Sequence, residues 1–105
     1  MSSGVSVIVC CFNSAARLPR TLEHIAKQVT SPGLDWEVIV VDNGSIDNTE
    51  ETALHVWLQL RRDDVKFTVV NQPLKGLSFA RARGIAVSTY DVLIFCDDEI
   101  GRAHV

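Results

Sequence analysis

A chain of 105 residues, 47% hydrophobic and 22% charged, is sized for one globular domain and apolar enough to bury a core, which excludes disordered and collagen-like classes. Its formal net charge of -3 leaves no broad cationic face, so nucleic acid is excluded as an expected partner. No apolar run is long enough to span a bilayer, and Met1-Ser2-Ser3-Gly4 lacks the basic and apolar regions of a signal peptide; the expected compartment is the cytosol.

Val5 to Cys10 is a short apolar, β-branched run of the kind that forms a strand buried on both faces of a parallel sheet. Asn13 and Ser14 offer capping groups, and Leu18, Leu22, Ile25, Ala26 and Val29 recur at helical spacing, with Pro19 tolerated near the start. Pro32-Gly33 marks a turn before a second buried strand, Trp36 to Val41, which ends at Asp42. Asp47 or Asn48 with Glu50 or Glu51 forms a capping-box pattern ahead of a helix expected to reach about Arg62. Lys66 to Val70 reads as the third strand, Asn71 to Leu77 as a loop, Ser78 to about Val87 as a short helix of small residues, and Val92 to Cys96 as the fourth strand. Alternating strands and helices predict an α/β fold: an open, mostly parallel sheet with helices on both faces. Cys10, Cys11 and Cys96 are an odd set without C-x-x-C spacing and read as small buried hydrophobes. His24 and His55 have no ligand partner at useful spacing.

Ligands of open α/β sheets bind outside the carboxyl ends of the strands. Polar residues cluster at those ends: Cys11-Phe12-Asn13, Asp42-Asn43-Gly44-Ser45, Asn71-Gln72 and Asp97-Asp98-Glu99. An isolated Asp42 reads equally as a turn cap; with Gly44 and Asp47 following, it also suits a carboxylate accepting hydrogen bonds from a base or ribose. Three adjacent carboxylates at a buried strand end repel one another unless a proton or a hard divalent cation relieves them, so Mg2+ or Mn2+ is expected there; a solvated acidic turn is the alternative. Arg81 can reach a diphosphate, Arg83 reads as a solvated helix position, and Phe12 either stacks on a flat base or joins the core.

These residues together resemble the N-terminal, nucleotide-sugar-binding part of family 2 glycosyltransferases, which have the GT-A, Rossmann-like fold. The stretches Val5 to Asn13, Glu37 to Thr49, Gly76 to Ile85 and Leu93 to Glu99 come in the family's order and cover nearly the whole chain. Each motif is loose; four in register are specific. The resemblance implies a donor site of Cys11, Phe12, Asn13, Asp42, Asn43, Gly44, Asp47, Arg81, Asp97 and Asp98, with Asp98 and Glu99 as metal ligands in a DxD-type motif. It further implies a nucleotide-activated sugar donor of the UDP-sugar class, inversion at the anomeric carbon, and a polysaccharide, lipid or protein acceptor. Cys10 stands where proline is usual, Ala82 where asparagine is usual, and Glu99 where a third Asp is more common.

The expected organisation is an incomplete donor-binding domain over 5–99, with no acceptor-side base identified and no transfer expected from this stretch alone. Residues 100–105 form a tail that matches the translation of a common sequencing-adapter stretch; Glu99 would share that origin, and the tail would carry no function. Any membrane association is expected through regions outside this one. A non-catalytic nucleotide-sugar-binding module is the alternative from another class. A nucleotidyltransferase would call for a glycine-rich, basic phosphate loop after the first strand, and a dinucleotide oxidoreductase for G-x-G-x-x-G; the sequence offers neither.

Overall fold

Valine and isoleucine dominate Val5 to Val9 and Val38 to Val41, and their branched side chains pack well on a pleated surface. In a computed structural model, which describes residues 2–28 and 33–97, both runs lie in strands at the centre of one sheet. The elements are β1 (Ser2–Cys11), α1 (Leu18–Ala26), β2 (Trp36–Asp42), α2 (Thr49–Leu60), β3 (Lys66–Asn71), α3 (Leu77–Val87) and β4 (Tyr90–Asp97). The strand order is β3-β2-β1-β4, and every pairing is parallel.

That order explains the layers. The chain steps in one direction from β1 to β2 to β3, and right-handed crossovers then put α1 and α2 on the same face. The step from β3 back past β1 to β4 reverses direction, so α3 lies on the opposite face. Two cores result. Val7, Val9, Val38 and Val40 pack under Leu18, Leu22, Ile25, Ala53 and Trp57, whereas Ile8, Cys10, Ile39 and Val41 pack under Ala80. All seven residues of β2 are buried, as expected for a strand covered on both faces. On the outer flank of the first core, Trp57 of α2 stacks on Phe67 of β3 with ring centroids 4.7 Å apart.

Element boundaries differ from the sequence-based expectations for identifiable reasons. β1 begins at Ser2 because Ser2 pairs with Tyr90, with a register shift before Val5. Asn13 and Ser14 do not cap α1 through their side chains; the Ser14 carbonyl accepts the N–H groups of Arg17 and Leu18 instead. Asn48 makes no side-chain capping bond, and the Asp47 carboxylate takes the Thr49 N–H in its place. α2 stops at Leu60 because Arg61 adopts a left-handed conformation, φ 56°. The expected helix residue Val29, the turn residue Pro32, the metal-site residues Asp98 and Glu99 and the tail over 100–105 lie outside the described residues. The cysteine reading holds for Cys10 and Cys11, which are buried; Cys96 is half-buried.

The end of the sheet opposite the strand carboxyl termini is held by two charged side chains. Glu37, 1% exposed, accepts hydrogen bonds from the Ser6 hydroxyl at 2.6 Å and from the Thr89 N–H at 2.6 Å. The same Ser6 oxygen accepts the Tyr90 N–H, so one carboxylate seats the turn that starts β4. Arg62 bonds the Ala26 carbonyl at the end of α1, pairs with Asp64 at 2.9 Å and lies over the Trp36 ring.

α3 approaches β1 closely enough that only a residue without a side chain fits at Gly84. A Cβ there would stand 2.5 Å from Cγ2 of Ile8, a fully buried side chain. Replacing a helical glycine by alanine gains up to about 1 kcal/mol of helix propensity, while overpacking a filled core costs about 1–3 kcal/mol. Gly84→Ala is therefore expected to lower the urea midpoint at unchanged m-value; a raised midpoint would show that α3 is not seated as described.

Candidate functional site

Register decides what the strand ends bring together. Cys11 of β1 pairs with Asp42 of β2, Asp42 pairs with Asn71 of β3, and Cys10 pairs with Asp97 of β4. Asn71, Asp42 and Cys11 thus form one row across β3, β2 and β1, and β4 ends beside it with Asp97 opposite Cys10, one position short of the row. With neighbouring strands about 4.8 Å apart, the backbones of Asp42 and Asp97 stand roughly 10 Å apart on either side of β1. β1 and β4 flank the position where the strand order reverses, the place where open α/β sheets form a crevice.

The loops above this row are tied to one another by side chains acting on backbone. Asn13, in a left-handed conformation, donates its N–H to the Ser45 hydroxyl at 2.8 Å, and its Oδ1 accepts the Ile46 N–H at 2.9 Å. Ser14 donates its N–H to the Thr49 hydroxyl at 2.8 Å, and that hydroxyl donates to the Asp47 carboxylate. Asp47 also accepts the N–H of Ala15 at 3.2 Å. The β1–α1 loop is thereby fastened to the β2–α2 loop.

Asn43 fastens the next pair. Its Nδ2 donates to the carbonyls of Gln72 and Leu74, both at 2.8 Å, and its Oδ1 accepts the Gly76 N–H at 3.0 Å. The amide is 8% exposed and occupied by the β3–α3 loop. Asp42 is buried as well; one carboxylate oxygen accepts the Ser45 N–H at 3.0 Å. Gly44, at φ 75°, turns the chain beside it where an L side chain would be strained.

Against this frame, Phe12 is 42% exposed at the mouth of the crevice, with the Lys75 ammonium 4.5 Å from its ring centroid. The stacking alternative for Phe12 is thus the one its position allows, and core burial is not. Arg81, on the first turns of α3, lies over Phe95 of β4, its guanidinium carbon 5.3 Å from the ring centroid. Phe95 precedes Asp97 by two positions, which sets Arg81 near the end of β4. Arg83, His24 and His55 are exposed.

Among the described residues, no group of three His, Cys, Asp or Glu side chains is placed to hold a metal ion. Both expected ligands, Asp98 and Glu99, lie outside those residues. An apolar groove of about 430 Å³ runs along β4 on the α1 side, lined by Val5, Val7, Ile25, Trp36, Ile94 and Cys96. It lies below the row of strand ends and lacks the converging polar groups of the crevice. Burial pushes the Cys96 thiol up from its ordinary range. Among the described residues no helix is long and apolar enough to cross a membrane.

A family model described as Glycosyl transferase family 2 matches residues 6–99. The chain belongs to that family. A glycosyltransferase of Haloferax volcanii, AglE, is 34% identical over 95 residues, covering 90% of this chain and 30% of that protein. Validoxylamine A glucosyltransferase of Streptomyces hygroscopicus subsp. limoneus is also 34% identical over 95 residues, covering 89% of this chain and 20% of its own length. The chain thus spans less than a third of these curated relatives.

Among solved structures, the mannosyltransferase PcManGT of Pyrobaculum calidifontis, in complex with GDP-Man and Mn2+, superposes with a TM-score of 0.82 at 24% identity, over 94% of this chain and 28% of that one. Glucosyl-3-phosphoglycerate synthase of Mycobacterium tuberculosis, solved with Mn2+, UDP and phosphoglyceric acid, gives a TM-score of 0.70 at 25% identity, over 92% and 33%. The four-stranded parallel sheet with flanking helices is accordingly the GT-A arrangement, present here as a partial N-terminal domain.

Lys75, Ser14, Thr49 and the threefold role of Asn43 escape sequence reasoning. Only the run Asn43-Gly44 hints at them, because asparagine before glycine commonly marks a turn whose side chain bonds nearby backbone. The Asp47 carboxyl is held below the ordinary carboxylate range chiefly by the Thr49 hydroxyl; burial opposes this, and the N–H groups of Ala15 and Thr49 reinforce it. A folded-state value below the unfolded one adds stability above the ordinary range and loses it as pH falls through the folded value. The stability difference between the wild type and Asp47→Asn should therefore be constant near neutrality and shrink in acid; a difference that grows on acidification would contradict the assigned hydrogen bonds.

Proposed function

We propose that the crevice at the four strand ends binds a nucleotide-activated sugar, a UDP-sugar, and that this is the donor half of an inverting, metal-assisted glycosyltransferase acting on a polysaccharide, lipid or protein acceptor. The observation that carries the reading is the gathering of the strand ends at Asp42, Cys11 and, one position lower, Asp97, beneath three loops locked by side-chain hydrogen bonds. Such a rim is organised before a ligand arrives, which spares the ordering cost of binding.

In this reading Phe12 stacks on the base, and the buried Asp42 carboxylate accepts a hydrogen bond from the base N–H. The backbone of Cys11 and of Gly44 lies against the nucleoside. Asn13, Asn43 and Asp47 belong to the site by holding its loops. Arg81 turns from Phe95 toward the diphosphate, and Asp97 meets the ribose. Asp98 and Glu99 would hold Mg2+ or Mn2+, which when bound supplies a Lewis acid for the charge that develops on the departing diphosphate. Support for a divalent metal and a nucleotide donor comes from the neighbours solved with Mn2+ and GDP-Man, with Mn2+ and UDP, and with UDP-GlcNAc.

The alternative of a non-catalytic binding module is not favoured, since the curated relatives quoted above carry transferase names. A cytoplasmic location, with any membrane association through other regions, is part of the same proposal. So is a donor-binding domain over 5–99 followed by a tail without function.

In calorimetric titrations of the full-length protein, Asp42→Asn should weaken UDP binding about tenfold, the scale of one hydrogen bond to a charged group, and leave pyrophosphate binding unchanged. The asparagine still accepts the Ser45 N–H, so the loop keeps its shape. Equal weakening of both ligands would place Asp42 outside base recognition, and no UDP binding by the wild type would remove the donor-site reading.

A further inference from the structure

We infer that Lys75 is a displaceable cap on the stacking face of Phe12, and that a bound nucleotide drives its ammonium off the ring to become a counter-charge for the phosphates. This deepens the donor-site proposal and rests on it. The Lys75 ammonium is 4.5 Å from the Phe12 ring centroid, and both residues are exposed. The stem of Lys75 runs across Gly44, its Cε 3.6 Å from where a Cβ at Gly44 would stand. The covered face of Phe12 is therefore the one turned toward Gly44, and so toward the end of β2 where Asp42 lies. A base reaching Asp42 while stacking on Phe12 needs the space the ammonium fills.

The exchange runs in the base's favour. An ammonium on an exposed ring shifts an equilibrium by about two- to fivefold, whereas a base stacked on an aromatic side chain contributes about 5- to 150-fold. The displaced side chain has little freedom to leave, because the peptides on both sides of Lys75 are anchored: the Leu74 carbonyl and the Gly76 N–H both bond the Asn43 amide. Only the side chain swings, and its charge stays within one lysine length of the ligand. Arg17, a second cation near Phe12, donates to the Phe12 carbonyl and the Ser14 hydroxyl.

A cap that is also a counter-charge has opposite effects on a neutral nucleoside and on a nucleotide. For the full-length protein titrated with uridine and with UDP at fixed ionic strength, Lys75→Met is expected to tighten uridine about two- to fivefold by removing a competitor. The same variant should weaken UDP about tenfold or more through loss of a charge-assisted bond. Lys75→Arg should stay near the wild type for UDP. Equal shifts of both ligands in one direction, or no shift of either, would overturn the inference while wild-type UDP binding leaves the donor site standing. If the wild type bound neither uridine nor UDP, the donor-site reading would fall and this inference with it.

Discussion

The parallel pairing of β1 with β2 on one side and β4 on the other is the constraint on which everything else rests. Side chains alternate along a strand, so a slip of one residue would turn Ile8 and Cys10 toward α1 and Val7 and Val9 toward α3. Each set is matched to its own helices, and the tight approach of Gly84 to Ile8 leaves no slack on the α3 side. The two cores therefore fix the register. The register in turn brings the four strand ends within one residue of each other, which gathers their polar groups on one side of the sheet.

The two ends of the sheet use polar groups differently. Away from the crevice, Glu37 and Arg62 join elements from side chain to backbone and leave nothing pointed at solvent chemistry. At the crevice, Asn13, Asn43, Ser14 and Asp47 do the same joining for loops, and Phe12 stays exposed beside them. Polar side chains satisfied by neighbouring backbone are a rigid scaffold, since each buried donor or acceptor left unmade is costly. The proposed site is a thin layer of ligand-facing groups over a second layer that holds shape.

Most of the fold is legible in the sequence. Apolar, β-branched runs mark β1 and β2, and polar clusters after each strand mark the crevice side. The family match over residues 6–99 bears out the resemblance read from those clusters. Boundaries are less legible, because caps are local geometry: Arg61 ends α2 by its φ, and Ser14 caps α1 with a carbonyl that every residue possesses. Pairings across distant loops are not legible at all. Nothing in the spacing of Phe12 and Lys75, or of Asn43 and Gly76, announces that strand order brings them together. Glu37 is the intermediate case; a carboxylate inside an otherwise apolar central strand signals a buried partner without saying which.

Strand order also sets a timetable. Of the described strands β1 leaves the ribosome first, yet its second neighbour, β4, is made last, and the Gly4 N–H meets the Asp91 carboxylate across 87 positions. Contacts so distant in sequence close slowly. During synthesis one edge of β1 waits with its N–H and C=O groups unpaired while β2 and β3 assemble beside it. Among the described strands the crevice, which needs Asp97 beside Cys10, can close only after β2 and β3 are made.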